Sequence, residues 1–388
     1  MPNPRLAPAI LLSPVENGYV AYDPVADRLH QLNPVAALLA ELCDGSRSLD
    51  EIRGLVGPLL PEGQTGELDR WIEDGLKAGL LIWNDGAPGS HKELSAAELY
   101  GLAKRLKEHG KVQTAFLCGK RAVELKPDDW DAWYDVGELA QCVGRRDEAL
   151  AAYRKYFGAH PEDAEIEHLL VALQDAAPPP RTSDRAIQQI YKGFARSYES
   201  RMREDLKYQG PERMSEGIRA VIGDEGGLAV LDLGCGSGLT GACFKHWAGQ
   251  MTGVDLSPEM IELARGRNIY DRLEVGEVTQ WLNETEERFD LIGSCDVIIY
   301  FGDLHEIVAA AAERLNAGGV FAISMEKGER YPFHLTDTGR YSHHPDHVRE
   351  AAAAAGLSVA YLDDAFLRME YGSPVTGLFA VLKKSPAQ

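Results

Sequence analysis

Residues 9–33 alternate apolar and polar positions in short runs broken by turn residues. Val15, Tyr19, Val20, Tyr22 and Leu29 suit short strands, with turns at Glu16–Gly18 and Asp23–Asp27. The period then lengthens to that of a helix. "NPVAALLAELCDG" places Asn33 at an N-cap, Pro34 in the first turn and Gly45 just past the end. "SLDEIRGLVG" predicts a second helix, with Ser48 and Glu51 spaced as a capping box. "GELDRWIEDGLKAGLLIW" predicts a third, running into a strand at Leu80–Trp83. Strands followed by three helices are the plan of a small winged-helix α+β domain, expected over residues 1–88. "NDGAPGSHKELS" at 84–95 gathers Gly, Pro, Ser and Asn, and reads as a linker.

A repeat of 34 residues follows, pairing Tyr100 with Tyr134, Gly110 with Gly144, Ala115 with Ala149, and Pro127 with Pro161. Each unit reads as helix–turn–helix, with small residues where its helices touch. Two units are fewer than the roughly three that such stacks need, so the helix expected at 164–176 is assigned as their cap. The helical region is expected over 92–177. "APPPRTS" at 177–183 reads as a stiff proline linker.

From residue 184 to 388 the pattern becomes α/β. A helix over "RAIQQIYKGFARSYESRM" precedes strands at 228–233, 251–255, 271–275, 289–294, 319–325, 358–362 and 376–383. Strands alternating with helices predict a doubly wound sheet. The turn-bearing "EYGSPVTG" predicts that the last two strands close it as an antiparallel hairpin. The chain is therefore expected to be multidomain α/β, with a Rossmann-like sheet at its C-terminus.

Bulk properties narrow the function classes. The net charge is −20 and no basic run appears, which argues against a nucleic-acid partner. No apolar run approaches the length of a membrane span, and the N-terminus lacks the pattern of a signal peptide. The six cysteines show no CxxC spacing, as suits a reducing compartment. A cytoplasmic protein without a membrane partner is expected.

The chemistry concentrates in "VLDLGCGSGLTG", residues 230–241. The strand ends at Asp232-Leu233, and Gly234, Gly236 and Gly238 let the backbone turn tightly and approach a ligand. Glycines alone also suit a dinucleotide loop. An acid just before them would repel a pyrophosphate and welcome an ammonium group. "GVDLSPEMI" then places Asp255 at the end of the next strand, where an acid meets a ribose diol.

These residues resemble the class I S-adenosylmethionine-dependent methyltransferase family, with "VLDLGCGSG" its first motif and "GVDLS" its second. The resemblance implies that Asp232, Gly234, Cys235, Gly236 and Gly238 hold the methionine portion of the cofactor. It further implies that Asp255 binds the ribose hydroxyls and that Leu256 flanks the adenine. Glu277 and Val278 of "EVGEVTQW" would lie beside the adenine amino group, and Cys295 and Asp296 at the pocket mouth. More of the chain is similar to methyltransferases that carry tetratricopeptide repeats before the catalytic domain. Their segment corresponding to "IYKGFARSYESRM" closes over the cofactor, which makes Tyr191, Phe194 and Tyr198 candidates for the cap. The 34-residue units resemble tetratricopeptide repeats. The segment "YVAYDPVADRLHQLNPVAALLAELCDG" with "SLDEI" and "GLKAGLLIW" resembles PqqD-like peptide-recognition domains. That family pairs a leader peptide with an exposed sheet edge.

Three further residues are candidates at the acceptor. Tyr300 follows the fourth strand, where this fold places acceptor contacts. His343 would serve as a base for an amine or phenol acceptor. Arg340, with Arg368, would suit an anionic acceptor and favours carboxylate O-methylation. Arg368 and Glu370 read either as strand residues facing water or as part of the same pocket. "RYSHHPDH" also invites a metal reading through His343, His344 and His347. No carboxylate or cysteine partner is evident, so no metal is expected. The segment equally suits a helix start or a substrate contact. The function expected is methylation of a ribosomally made peptide, recruited through the N-terminal domain. The alternatives are a small-metabolite methyltransferase whose N-terminal half drives oligomerisation, such as a homodimer, and a non-catalytic cofactor-bound scaffold.

Overall fold

The computed structural model describes residues 3–15, 18–57, 65–84, 94–174, 176–194, 198–200, 202, 206–370 and 373–386. Most of the 84–95 linker and parts of the turns at Glu16–Gly18 and "EYGSPVTG" lie outside the described residues. So does the side chain of Phe194. The chain divides into two compact units, Met1–Tyr156 and Phe157–Gln388.

In the first unit, strands β2 (Leu11–Val15), β3 (Gly18–Asp23) and β4 (Arg28–Leu32) form an antiparallel sheet in that order. β1 (Asn3–Leu6) pairs separately with β5 (Leu81–Asn84), a pairing that the sequence pattern did not predict. Between β4 and β5 the chain runs through α1 (Pro34–Leu42), α2 (Leu49–Val56) and α3 (Thr65–Lys77). Asn33 Oδ1 accepts from Ala36 N and caps α1, while Ser48 and Glu51 form the capping box of α2. Leu39, Ile52, Val56, Leu68, Ile72 and Leu81 make the core of this part.

Helices α4 (Ala96–Glu108), α5 (Val112–Leu125), α6 (Trp130–Cys142) and α7 (Arg146–Ala159) follow. A Cβ on Gly137 would lie 2.4 Å from the Tyr153 ring, so α6 and α7 meet through a residue with no side chain. Gln113 and Arg145 both donate to Ser13, and Lys111 pairs with Asp27 at 3.2 Å. These contacts join the helices to the three-stranded sheet within one unit.

The second unit begins inside α7, ahead of the proline segment. It contains α8 (Ala164–Leu173), the helix expected to cap the repeats. α8 packs on α9 (Asp184–Phe194), where Gln189 Oε1 accepts from Ala164 N and Glu165 N. Residues 177–183 do not behave as a free linker. Pro180 O accepts from Gly302 N, Thr182 N donates to Tyr300 O, and Tyr341 Oη donates to Pro179 O. A proline lacks an N–H but keeps its carbonyl, and here those carbonyls bind the segment to the sheet domain. α10 (Tyr198–Ser200) follows; the long helix expected there is described in two pieces.

The sheet domain then runs α11 (Gly210–Ile222), β6 (Leu228–Leu233), α12 (Leu239–Phe244), β7 (Ala248–Asp255), α13 (Pro258–Arg265), β8 (Arg272–Val275), α14 (Val278–Glu284) and β9 (Phe289–Ser294). It continues with a 3-10 turn (Ile298–Tyr300), α15 (His305–Arg314), β10 (Leu315–Lys327), β11 (Phe333–Leu335) and β12 (Tyr341–His343). It ends with α16 (Pro345–Ala354), β13 (Leu357–Glu370) and β14 (Ser373–Lys384). The main path is β8-β7-β6-β9-β10-β14-β13, in which β14 runs antiparallel to both neighbours. β11 and β12 extend the far end of β10. Leu231, Leu233, Ile292, Phe321 and Ile323 are buried with the helices on one face. Val230, Leu291, Phe244 and Trp247 are buried on the other. The order reverses between β6 and β9. In open parallel sheets a ligand crevice opens at such a point, outside the carboxyl ends of the strands.

Candidate active site

A cleft opens there, bounded by residues of α9, of α10 and of the segments after β6, β7 and β9. Its wall includes Tyr191 of α9, Tyr198 of α10, Gly234 and Gly236 after β6, Asp255 at the end of β7 and Leu256 after it. Glu277 and Val278 at the start of α14, with Cys295, Asp296, Val297 and Tyr300 after β9, complete much of it. Nine of the expected cofactor residues are thus brought to one wall, together with Tyr300.

The glycine loop explains its own composition. Gly234 has φ +77°, and a Cβ there would stand 2.3 Å from Val297. Gly236 has φ +51°, and a Cβ there would meet only the Tyr198 hydroxyl, at 3.8 Å. The first glycine is needed for packing, the second for access to the cavity. Gly236 N donates to Asp255 Oδ2 at 2.8 Å, and Ser257 N donates to Oδ1 at 2.9 Å. The loop and the second acid are thereby fixed to each other. Burial pushes the Asp255 carboxyl up, and these two amides pull it back.

Asp232, Cys235 and Gly238 do not line the cavity. Asp232 has no exposed surface and lies behind the loop, where Tyr270 Oη donates to Oδ2 at 2.6 Å. Its Oδ1 is buried without a partner. Burial raises this carboxyl to about 7. Cys235 packs against Ile261 and Ala264, and Gly238 precedes α12.

The acceptor candidates separate. Tyr300 faces the cavity, its hydroxyl 3.0 Å from that of Tyr191. His343 does not reach it. The ring is wholly buried, and burial pushes it down to about 3. It is not among the residues that line the cavity. Arg340 also lies off the wall, paired with Glu370. Arg368 is not a solvent-facing strand residue: its side chain is 1% exposed. It grips Asp296 through both carboxylate oxygens, at 3.1 and 3.2 Å, and pairs with Glu326 as well. Both arginines are occupied, by three carboxylates in all, so neither is free to receive an anionic acceptor.

Asp296 holds its place at some cost. It has φ +57°, rare for a residue with a side chain. Its N–H donates to Ser324 Oγ at 2.9 Å, and Arg368 fixes its carboxylate. Backbone strain held by such contacts concentrates at functional sites. Position alone marked Asp296 in the sequence; the partner on β13 did not show. Arg181, Asp184 and Ile187 also line the cavity and were hidden in what read as linker and helix start. A signal was present, since Ser183 caps α9 by accepting from Ala186 N.

The adenosine-type donor implied by the motifs fits this wall. Gly236 presents bare backbone, Asp255 offers carboxylate oxygens, and Leu256 and Val278 supply apolar contact. Residues 230–319 match the family described as a methyltransferase domain. The chain is 27% identical over 151 residues to the ubiquinone biosynthesis O-methyltransferase of Xanthomonas campestris, covering 35% of this chain and 63% of the relative. It is 25% identical over 183 residues to the enzyme of that name from Bordetella avium, covering 43% and 75%. The chain thus spans less than two thirds of the Xanthomonas relative. Among solved structures, it is similar to a Burkholderia thailandensis 1,6-didemethyltoxoflavin-N1-methyltransferase holding S-adenosylhomocysteine (TM-score 0.42, 20% identity, 54% of this chain and 93% of that one). It is also similar to the N-methyltransferase NodS of Bradyrhizobium japonicum (TM-score 0.41, 15% identity, 51% and 97%).

Proposed function

With a methyltransferase domain over residues 230–319 as the premise, we propose that this protein is an S-adenosylmethionine-dependent methyltransferase acting on a hydroxyl or amine. The observation that carries the reading is the single wall that unites Gly236, Asp255, Leu256, Glu277 and Val278 with Asp296 and Tyr300. When bound, the cofactor supplies a methyl group made electrophilic by its sulfonium. The chain supplies position, and orientation is worth much of such a barrier. Asp255 receives the ribose hydroxyls, and Gly236 lets the loop approach. Tyr191, Tyr198 and Tyr300 form an aromatic side, with ring centroids 6.2 Å and 6.4 Å from Tyr191.

A hydroxyl or ammonium acceptor must lose a proton. Four carboxylates line the cavity, Asp184, Asp255, Glu277 and Asp296; Asp296 shares the segment after β9 with Tyr300, and we assign it that role. The expected carboxylate O-methylation loses its support, because Arg340 and Arg368 are already paired. Asp296→Asn is expected to lower turnover about 10²–10⁴-fold while leaving cofactor affinity within about twofold. Turnover of the wild type to S-adenosylhomocysteine, compared with that of the variant, tests this.

The first unit is assigned to recruitment of a peptide substrate. Its support is β4, which pairs only with β3 among the described residues and leaves an edge for an added strand. A leader peptide that binds the full chain and not residues 157–388 supports this; equal binding overturns it. A second reading takes a small hydroxylated metabolite as acceptor. It is favoured by the relatives named ubiquinone biosynthesis O-methyltransferase.

A further inference from the structure

Sequence spacing leaves His343, His344 and His347 without a carboxylate partner. The fold supplies one from elsewhere. Asp303 precedes α15, His305 is the first residue of that helix, and His347 lies in the first turn of α16. One ligand atom from each lies within 4.8 Å of the other two. Asp303 Oδ1 is 2.6 Å from His305 Nδ1 and 3.9 Å from His347 Nε2. Ligand atoms about 2.0–2.2 Å from a tetrahedral zinc ion stand roughly 3.3 Å apart, so shifts of about 1 Å seat a cation.

The far nitrogen of His347 is also held. His347 Nδ1 lies 3.3 Å from His343 Nδ1, and the two rings stack with centroids 5.5 Å apart at 21°. One of these nitrogens must donate. When His347 does, its Nε2 lone pair points toward Asp303, which is how ligating histidines are oriented by a neighbour. His343 is thus a buttress rather than a ligand. His344 stands apart, accepting from Asp346 N to cap α16.

We propose that Asp303, His305 and His347 form a site for a zinc-type divalent transition-metal ion, with water completing its coordination. Imidazole with one carboxylate is a donor set suited to such ions. The Asp303 and His305 side chains are half-exposed, so an ion enters from solvent. None of the three lines the cavity. The ion takes no part in methyl transfer. It ties α15 to α16 beside Tyr300 and Phe301, which do line it, and so positions that wall.

The test is calorimetric titration of Zn²⁺ into chelator-treated full-length protein, with thermal unfolding alongside, for wild type, Asp303→Asn and His305→Gln. Asn can keep the hydrogen bond that Asp303 Oδ1 accepts from His305 N, and both side chains are accessible. The proposal expects one ion per chain and a raised Tm. Each variant should bind at least about tenfold more weakly, with its metal-free Tm unchanged. No saturable binding by the wild type would overturn it. So would equal binding by both variants, which would place the ion elsewhere on the chain.

Discussion

Asp232 and Tyr270 share a 2.6 Å hydrogen bond behind the glycine loop, where Asp232 has no exposed surface. Unfolded, this acid loses its proton at an ordinary carboxylate value; folded, burial holds the proton to about 7. Its contribution to stability is therefore full below about pH 4 and is lost as the pH rises through about 7. Asp232→Asn cannot ionise and still accepts from Tyr270. Its Tm should fall less than that of the wild type between about pH 5 and pH 8; parallel curves would contradict this. Gly234 offers a second residue-scale expectation. Alanine there faces both a positive φ and Val297 at 2.3 Å. A loss of about 1–3 kcal/mol, read by chemical denaturation, is expected.

At the scale of elements, β13 matters most to the site because it carries Arg368 beneath the segment after β9. Arg368→Met would leave Glu326, buried, and Asp296, half-buried at the cavity wall, without their partner. Breaking a buried pair from one side costs about 3–5 kcal/mol, so denaturant midpoints should drop accordingly. A drop of under about 1 kcal/mol would show the cluster to be well hydrated instead. The sequence made β6 through β10 legible because each is an apolar run bounded by turns. It did not show β11 and β12, each three residues long, whose order comes from pairing with each other and with β10. The proline segment was misjudged for a related reason. Composition reports stiffness but not the carbonyl partners, here Gly302 N and the Tyr341 hydroxyl. His343 and Arg340 were plausible by chemical type, and only burial and pairing remove them from the cavity wall. Asp255 was legible because it ends β7, and crevices of such sheets open at strand ends; Glu277 came from the family resemblance alone.

At the scale of the whole molecule, the proposed recruitment and the chemistry fall in different units of the chain. The site residues assembled on one wall all belong to the second unit, Phe157–Gln388. A chain shortened to residues 157–388 should thus keep its affinity for S-adenosylhomocysteine within about twofold. No described helix is long and apolar enough to cross a membrane. The most direct test of the whole account is calorimetric titration of S-adenosylhomocysteine into the full chain and into Asp255→Ala. The account predicts one site per chain in the wild type. It predicts a loss of about 10- to 100-fold in the variant, the worth of hydrogen bonds from ribose hydroxyls to a charged acceptor. No binding by the wild type, or equal affinity in both, would contradict it.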